Sequence, residues 1–215
     1  GSFRRDGSSA FSYTGNQWQN FYSVGAGWLM SEEEFMKGIT WLDMLKLKGS
    51  WGTLGNQNLD KPYPAEPLLS NAYSAVFGTP SAIYPGYQLS YLPNATLRWE
   101  KVEAWEVGAE ANFFRNRLHL EGVYYKKTTK DLLAEVPGIS GTVPGIGNLG
   151  SIENKGIELA INWRDQIGDW NYSIGGNLTT IKNKVLSLVH EGYSALSGEQ
   201  RQGYTMAGFA IGYFY

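Results

Sequence analysis

Apolar and polar side chains alternate along most of this chain. In the stretch "LHLEGVYY", Leu118 and Leu120 alternate with His119 and Glu121. Since successive side chains of a strand point to opposite faces, this stretch predicts a β-strand with one apolar and one polar face. The corner before it, residues 113–117, is so short that it predicts a tight hairpin turn.

The same alternation recurs in five other segments of the chain. They read "NFYSVGAGWLM", "MLKLKGSWGT", "AWEVGAEANFF", "GIELAINWR" and "WNYSIGGNLTT". Together with the hairpin, and with partial strands near the two ends, they predict about eight strands. We therefore expect an all-β fold of antiparallel, up-and-down strands.

The connections between these strands are unequal in length. Segments 31–40, 113–117 and 165–169 are short, whereas 56–96 and 133–150 are long and rich in Pro, Gly, Tyr and Asn. A transmembrane barrel has short periplasmic turns at one end and long extracellular loops at the other. We expect 56–96 and 133–150 to be long extracellular loops. In the first short segment, Ser31 and Glu34 have the spacing of a capping box, which predicts one helical turn.

Large aromatic residues lie towards both ends of the predicted strands. The candidates for a lipid-facing aromatic band are Trp28, Trp51, Trp105, Phe113, Trp163 and Trp170. Tyr22 and Trp99 also fall towards the long connections. Amphipathic rings at both strand ends are typical of a barrel that meets two membrane interfaces. The candidates for the opposite, lumen-facing side are Glu106, Glu110, His119, Glu121, Glu158 and Asn162.

Periodicity alone fits a soluble β-sandwich equally well, with tryptophan in the core and the polar face in solvent. Composition favours strands in either case, since the chain has 27 Gly, 14% aromatic residues and only 18% charged residues. No apolar run is long enough for a membrane helix. The net charge of −2 does not favour nucleic acid, and the absence of cysteine excludes disulfides and thiolate metal sites.

Candidate catalytic or metal-binding chemistry is weak. His119 and Glu121 lie two residues apart on one strand face and could share a metal, but a charged pair on a polar wall is the simpler interpretation. Glu100, Glu106 and Glu110 line one strand, and no second strand supplies an evident acid–base partner. We expect no enzyme activity, no metal and no cofactor. A β-rich glycosidase would require a carboxylate pair at a suitable separation.

The first long connection carries many tyrosines. The candidates for contact with a substrate or a partner are Tyr63, Tyr73, Tyr84, Tyr87 and Tyr91. Aromatic faces stack on sugar rings and on peptide planes. The same composition also suits a loop packed on neighbouring loops or on a partner protein, which is the interpretation that we favour.

An ordered series of segments resembles the barrel of the SusC/RagA-like TonB-dependent transporters of Bacteroidota outer membranes. They are "SFRRDGSSAF", "FYSVGAGWLMSEEEFM", "WLDMLKLKGSWGTLGNQN", "LPNATLRWEKVEAWEVGAEANFFRNRLHLEGVYYKKTTKDLL" and "NLGSIENKGIELAINW". The closing "GFAIGYFY" is similar to a family stretch of the type G-x-x-I-G-x-F-Y. The resemblance spans nearly the whole chain.

The resemblance implies a location in the bacterial outer membrane and a role in nutrient import. Such transporters are closed barrels of 22 strands with an N-terminal plug and a TonB box. They import glycans or peptides with a SusD-like surface lipoprotein as lid, so SusD-like and TonB partners are implied. Since this chain resembles neither plug nor TonB box, we expect residues 1–215 to be part of the barrel domain. A soluble carbohydrate-binding sandwich and a small complete outer-membrane barrel are the alternatives.

Overall fold

The structure is a computed structural model that describes residues 1–59, 63–136, 144–188 and 206–211. Twelve strands lie in these ranges: β1 (Ser2–Gly7), β2 (Trp18–Leu29), β3 (Leu42–Asn56), β4 (Leu69–Phe77), β5 (Ala82–Leu89), β6 (Glu100–Phe113), β7 (Leu118–Lys130), β8 (Leu133–Val136), β9 (Gly145–Asn148), β10 (Gly150–Ile167), β11 (Trp170–Thr179) and β12 (Lys182–Leu188). Three short 3-10 helices accompany them: Ser9–Phe11, Met30–Glu32 and Glu34–Met36. Over the described ranges, no helix has the length and hydropathy to cross a bilayer.

Eight of the strands form one antiparallel sheet. Its order is β1-β2-β3-β6-β7-β10-β11, and β12 pairs with β10 beyond the end of β11. This confirms the predicted all-β, antiparallel, up-and-down arrangement. The two long connections contain further strands that the sequence pattern did not predict, because β4 pairs with β5 and β8 with β9 in separate hairpins.

Strands β11 and β12 behave as one bent strand. The register between them and β10 is the same on both sides of Thr180 and Ile181. At the bend, the Thr180 hydroxyl accepts the Ile157 N–H at 3.0 Å, and the Thr180 N–H donates to the Ile157 carbonyl at 2.8 Å. A side-chain oxygen thus replaces a backbone acceptor. Gly156 lies beside the bend, where a Cβ atom would be 1.9 Å from the Thr180 carbonyl oxygen.

The hairpin turn between β6 and β7 is tight, as predicted, but its backbone is unusual. Phe114, Arg115 and Asn116 have φ angles of 57°, 61° and 61°, a left-handed region that side chains with a Cβ rarely occupy. Two of its hydrogen bonds join this turn to the beginning of β3. The Asn116 N–H donates to Asp43 Oδ2 at 2.9 Å, and the Phe114 N–H donates to the Trp41 carbonyl at 3.0 Å.

The predicted capping box in the connection between β2 and β3 is wrong. Ser31 lies inside the first of two 3-10 helices, and its Oγ atom has no hydrogen-bond partner among the described residues. Glu33 separates the two helices with an extended backbone, so Ser31 and Glu34 do not belong to one helical turn. Glu33 instead accepts a hydrogen bond from Trp28 Nε1 at 2.9 Å.

A small apolar core lies where the long connections meet the sheet. Its buried members are Phe11, Phe21, Leu97, Trp99 and Ile146. Trp99 is only 6% exposed and donates from Nε1 to the Asn16 carbonyl at 3.0 Å. The expectation that Trp99 belongs with the surface aromatics is therefore wrong, because the segment before β6 turns inwards and packs against the first 3-10 helix.

The bend beside Gly156 gives a first testable prediction. In Gly156→Ala the new methyl group would overlap the Thr180 carbonyl, so the pairing of β10 with the bent strand should weaken by about 1–3 kcal/mol. Thermal unfolding in detergent would measure the loss. The matched control is Gly176→Ala on the neighbouring strand, where the nearest atom is 4.0 Å away. Equal stability of the two variants would contradict the structural role of Gly156.

Candidate functional site

The register of the large sheet separates its side chains into two faces. Residues that are direct cross-strand partners point to the same side, so the pairings between β2 and β11 assign every position in this region. We call the polar face the side that carries Lys46, Lys48, Ser50, Glu106, Glu110, His119, Glu121, Tyr125, Glu158 and Asn162. All six of the candidate lumen-facing residues lie on it.

Charged groups at the centre of the polar face form a compact cluster. Lys48 Nζ on β3 donates a hydrogen bond to Glu121 Oε1 on β7, across the intervening strand β6. The carboxylates of Glu106 and Glu110 also lie within electrostatic range of Lys48. A shallow cavity of about 420 Å³ opens here, with Glu158 on its far side. The cluster offers acceptors of hydrogen bonds and a negative surplus to a polar ligand.

A second, smaller cavity lies on the polar face beside the short turns. Its volume is about 240 Å³, and its lining includes Arg117 and Arg164. His119 Nδ1 is 2.7 Å from Asn112 Oδ1, and Arg164 Nε donates to Asn162 Oδ1 at 3.0 Å. This end of the polar face therefore presents amides and guanidinium groups, and the Arg117 guanidinium is paired with the Asp165 carboxylate at 3.3 Å.

His119 and Glu121 do not converge on one point in the structure. His119 interacts with Asn112, whereas Glu121 is paired with Lys48. Across the described ranges, no three His, Cys, Asp or Glu side chains lie close enough together to hold a metal ion. The pair therefore contributes to the polar surface.

The opposite side, which we call the apolar face, is exposed instead of covered. It carries Val24, Leu47, Val107, Leu120, Leu159, Ile161, Ile174 and Leu178. Val107 is 56% exposed and Ile174 is 69% exposed. A contiguous apolar surface of this extent marks contact with a membrane or with another protein.

Aromatic residues border the apolar face at both ends. Trp51 and Trp105 are direct partners near the long connections, and Trp51 Nε1 donates to Glu103 Oε1 at 3.1 Å. Near the short turns, Phe113 stacks on Trp41 with ring centroids 5.7 Å apart. Along β6, eight residues separate Trp105 from Phe113, which corresponds to about 26 Å. For a strand inclined by about 35–45° to the membrane normal, this length spans a height of about 20 Å, which is most of the ~25 Å apolar band of outer-membrane barrels.

The remaining band candidates also lie near the short turns. The Trp163 ring is 6.4 Å from that of Phe114, across neighbouring hairpins. Trp170 is the first residue of β11 and is 81% exposed. Trp28 has its indole N–H satisfied by Glu33 in the adjoining turn. Each of these rings thus lies near the end of its strand, beside a short turn.

The tyrosines of the first long connection separate into exposed and buried members. Tyr63, Tyr84 and Tyr87 are 40%, 52% and 69% exposed, and Tyr73 pairs with Gly86 in the hairpin of β4 and β5. Tyr91 differs, being 6% exposed with its hydroxyl donating to the Tyr63 carbonyl at 2.6 Å. The expectation that Tyr91 contacts a ligand is not supported, because its ring is packed inside the loop.

Asparagine side chains connect the two long connections, which the sequence analysis did not identify. Asn148 Nδ2 donates to the carbonyls of Arg98 and Asp131, both at 2.8 Å. Asn94 Nδ2 donates to the Ile146 carbonyl at 3.2 Å. Arg98 Nη2 also donates a hydrogen bond to Asp131 Oδ1, and this bond raises the pKa of the Arg98 guanidinium. The only signal in the sequence is the abundance of Asn in both connections, which names no partner.

Comparison with known proteins identifies the family. A profile described as "TonB dependent receptor-like, beta-barrel" matches residues 1–212. The chain belongs to this family of outer-membrane receptors. The two-faced sheet is accordingly part of a TonB-dependent receptor β-barrel, and its relatives are receptors and transporters instead of enzymes.

Individual relatives support the same assignment. The chain is 36% identical over 188 residues to a TonB-dependent receptor of Formosa agariphila, covering 86% of this chain and 18% of that receptor. It is 33% identical over 196 residues to the TonB-dependent receptor SusC of Bacteroides thetaiotaomicron, covering 87% of this chain and 19% of SusC.

Similarity to a solved structure supports the same family assignment as the sequence relatives. The RagAB peptide transporter superposes with a TM-score of 0.79 and 27% identity, over 96% of this chain and 22% of that chain. The TonB-dependent receptor segment therefore spans about a fifth of the length of the relatives that it matches.

The buried Tyr91 of this receptor segment gives a second prediction. Burial, and secondarily the Glu66 carboxylate, raises the pKa of Tyr91 above its usual value of 10.0. A raised pKa in the folded state means that the stabilisation is complete below about pH 10 and is lost as the pH rises through the folded pKa. Tyr91→Phe should therefore cost about 1 kcal/mol at pH 8 and less at pH 11. Thermal unfolding at both pH values would measure this.

The control for this measurement is Tyr87→Phe in the same connection. Tyr87 is 69% exposed, so its substitution should leave stability unchanged at both pH values. An effect of Tyr91→Phe that does not depend on pH would contradict the proposed role of its neutral hydroxyl.

Proposed function

We propose that the chain forms part of the barrel wall and extracellular loops of an outer-membrane nutrient importer. In this proposal the apolar face contacts lipid and the polar face lines the lumen. The observation that carries the proposal is the exposed apolar face, bordered by aromatic residues at both ends and backed by a charged face. The short turns are periplasmic, and the long connections lie outside the cell.

The exposed apolar face argues against the soluble sandwich. In a sandwich, the apolar faces of two sheets pack against each other at about 10 Å and are buried. Here Val107 and Ile161 remain more than half exposed, at 56% and 51%. In lipid the same side chains need no protein partner, while charged groups such as Glu106 and Glu158 are accommodated on the watery side.

The chemistry of the polar face suits a polar oligomer, which we propose to be a glycan or a peptide. Lys48 and its neighbouring carboxylates can bind either sugar hydroxyls or the charged groups of a peptide. The similarity to SusC and to the RagAB peptide transporter supports import as the function. In the intact protein, we propose that TonB energises this import.

The extracellular connections are proposed to contact both substrate and a SusD-like surface lipoprotein. The exposed rings of Tyr63, Tyr84 and Tyr87 are available for stacking. The hairpin of β4 and β5 is not part of the large sheet, so it projects from the wall as a separate unit. Contact with the lipoprotein is the role that we favour for this hairpin, and direct stacking on substrate is the alternative.

The orientation of the two faces gives a third prediction, which tests the proposed wall directly. Single cysteines at Val107 and Glu106 would carry nitroxide spin labels on neighbouring residues of opposite faces, in the intact protein within bilayers. We expect the label at Val107 to be accessible to oxygen and shielded from a water-soluble nickel reagent. The label at Glu106 should show the reverse, because the lumen contains water.

The 215 residues contain no cysteine, so the labels report one site each within this chain. Equal accessibility of both labels to the nickel reagent would contradict the membrane orientation and favour a soluble sheet. A label at Ser50, a polar-face partner of Glu106, is the matched control and should behave as Glu106 does.

The loop tyrosines give a fourth prediction. Replacing Tyr84 and Tyr87 together by Ala removes two exposed rings without disturbing a described hydrogen bond, so the barrel should fold normally. If these rings contact substrate, uptake of a labelled glycan or peptide oligomer should fall about tenfold, since each stacking contact contributes about 0.5–1.5 kcal/mol. If they contact the lipoprotein, its co-purification should fall in parallel. Unchanged uptake and unchanged co-purification would exclude both roles.

A further inference from the structure

The apolar face ends in a row of lysines near the long connections. Direct cross-strand partners on five neighbouring strands form one continuous row, which consists of Trp51, Trp105, Lys126, Lys155 and Lys182. Lys184 lies on the same face, two residues further along β12 towards the long connections, opposite Glu153. We call Lys126, Lys155, Lys182 and Lys184 the basic row.

The basic row has a surplus of positive charge in a chain whose net charge is −2. Like charges on direct cross-strand partners destabilise a sheet. Glu153 relieves part of this repulsion, since its carboxylate oxygens lie 2.9 Å from Lys126 Nζ and 3.1 Å from Lys155 Nζ. Among the described residues, no carboxylate forms an ion pair with Lys182 or Lys184. An external anion would neutralise what Glu153 leaves uncompensated.

An apolar groove lies on the same face below the basic row. Small residues on neighbouring strands, Ala109, Gly122 and Gly176, form its floor, and Leu159 and Leu178 rise beside them. Its volume is about 640 Å³. Four residues along β7 separate Gly122 from Lys126, so the groove begins about 13 Å from the lysines. A single molecule with an anionic head and an apolar chain can reach both.

We propose that the basic row binds the phosphorylated headgroup of an outer-leaflet lipid whose acyl chain lies in this groove. The inference rests on the proposed orientation of the apolar face towards lipid, with the long connections outside. Lysines just beyond an apolar band lie at the level of lipid headgroups, where each contributes to the attraction for anionic lipids. A soluble anion would use the lysines alone, whereas an acylated phosphate uses the lysines and the groove together.

The test is lipid binding to the intact protein in a neutral detergent, followed by native mass spectrometry. The probe is a bisphosphorylated, acylated glucosamine disaccharide, with the same lipid lacking phosphate as the comparison. In the variant Lys182→Gln/Lys184→Gln, we expect affinity for the phosphorylated lipid to fall about tenfold. The matched control is Lys46→Gln/Lys127→Gln, which also removes two positive charges but from the polar face, and its affinity should stay within about twofold.

A second variant tests the groove separately. Gly176→Ile fills the floor of the groove and leaves every lysine in place. It should therefore weaken binding of the phosphorylated lipid and leave any binding of inorganic phosphate unchanged. Equal affinity of the lysine variant and the unaltered protein would overturn the proposal, as would equal binding of the lipid without phosphate. The spin labels at Val107 and Glu106 report the orientation of the wall independently, so a failed lipid site can be distinguished from a failed membrane assignment.

Discussion

The cross-strand register of the large sheet is the constraint on which its other properties depend. A shift of one residue in any strand would exchange its two faces. In the proposed orientation, it would place Glu106 and Glu121 in lipid and Val107 and Leu120 in the lumen. A basic residue at the membrane midplane costs about 2–4 kcal/mol and an acidic residue somewhat less, so such a slip would be heavily penalised on both sides. The backbone hydrogen bonds and the side-chain pattern therefore specify the same pairing.

The sequence predicted the sheet well because its signal is local. Alternation in "LHLEGVYY" and its counterparts depends only on neighbouring residues, and it placed Glu110 and Asn162 on the face where the structure has them. The turn at Phe114 was predictable in length but not in conformation. Its left-handed residues include no glycine, and the Asp43 carboxylate that holds Asn116 is 73 residues distant in sequence.

The long connections were less predictable for the same reason. Tyr87 and Tyr91 are only four residues apart in the same connection, yet Tyr91 is buried with its hydroxyl bonded to the Tyr63 carbonyl and Tyr87 is exposed. Trp99 was similarly predicted to be a surface ring, but in the structure it packs against Phe11 of the first 3-10 helix. Asn148 connects Arg98 to Asp131 through contacts that join distant segments. What a loop residue does is decided by which other loop it meets, and periodicity carries no information about that.

The row from Trp51 to Lys182 runs perpendicular to the strands, and the strands of such barrels are inclined by about 35–45° to the membrane normal. Four strand spacings of about 4.8 Å make the row roughly 19 Å long, so its two ends differ in depth by about 12 Å. Residues at the two ends of one cross-strand row thus lie at different depths in the bilayer. In the proposed orientation, the tryptophan end and the lysine end of this row therefore meet different layers of the membrane. A single line of cross-strand partners in an inclined sheet thus samples a range of membrane depths.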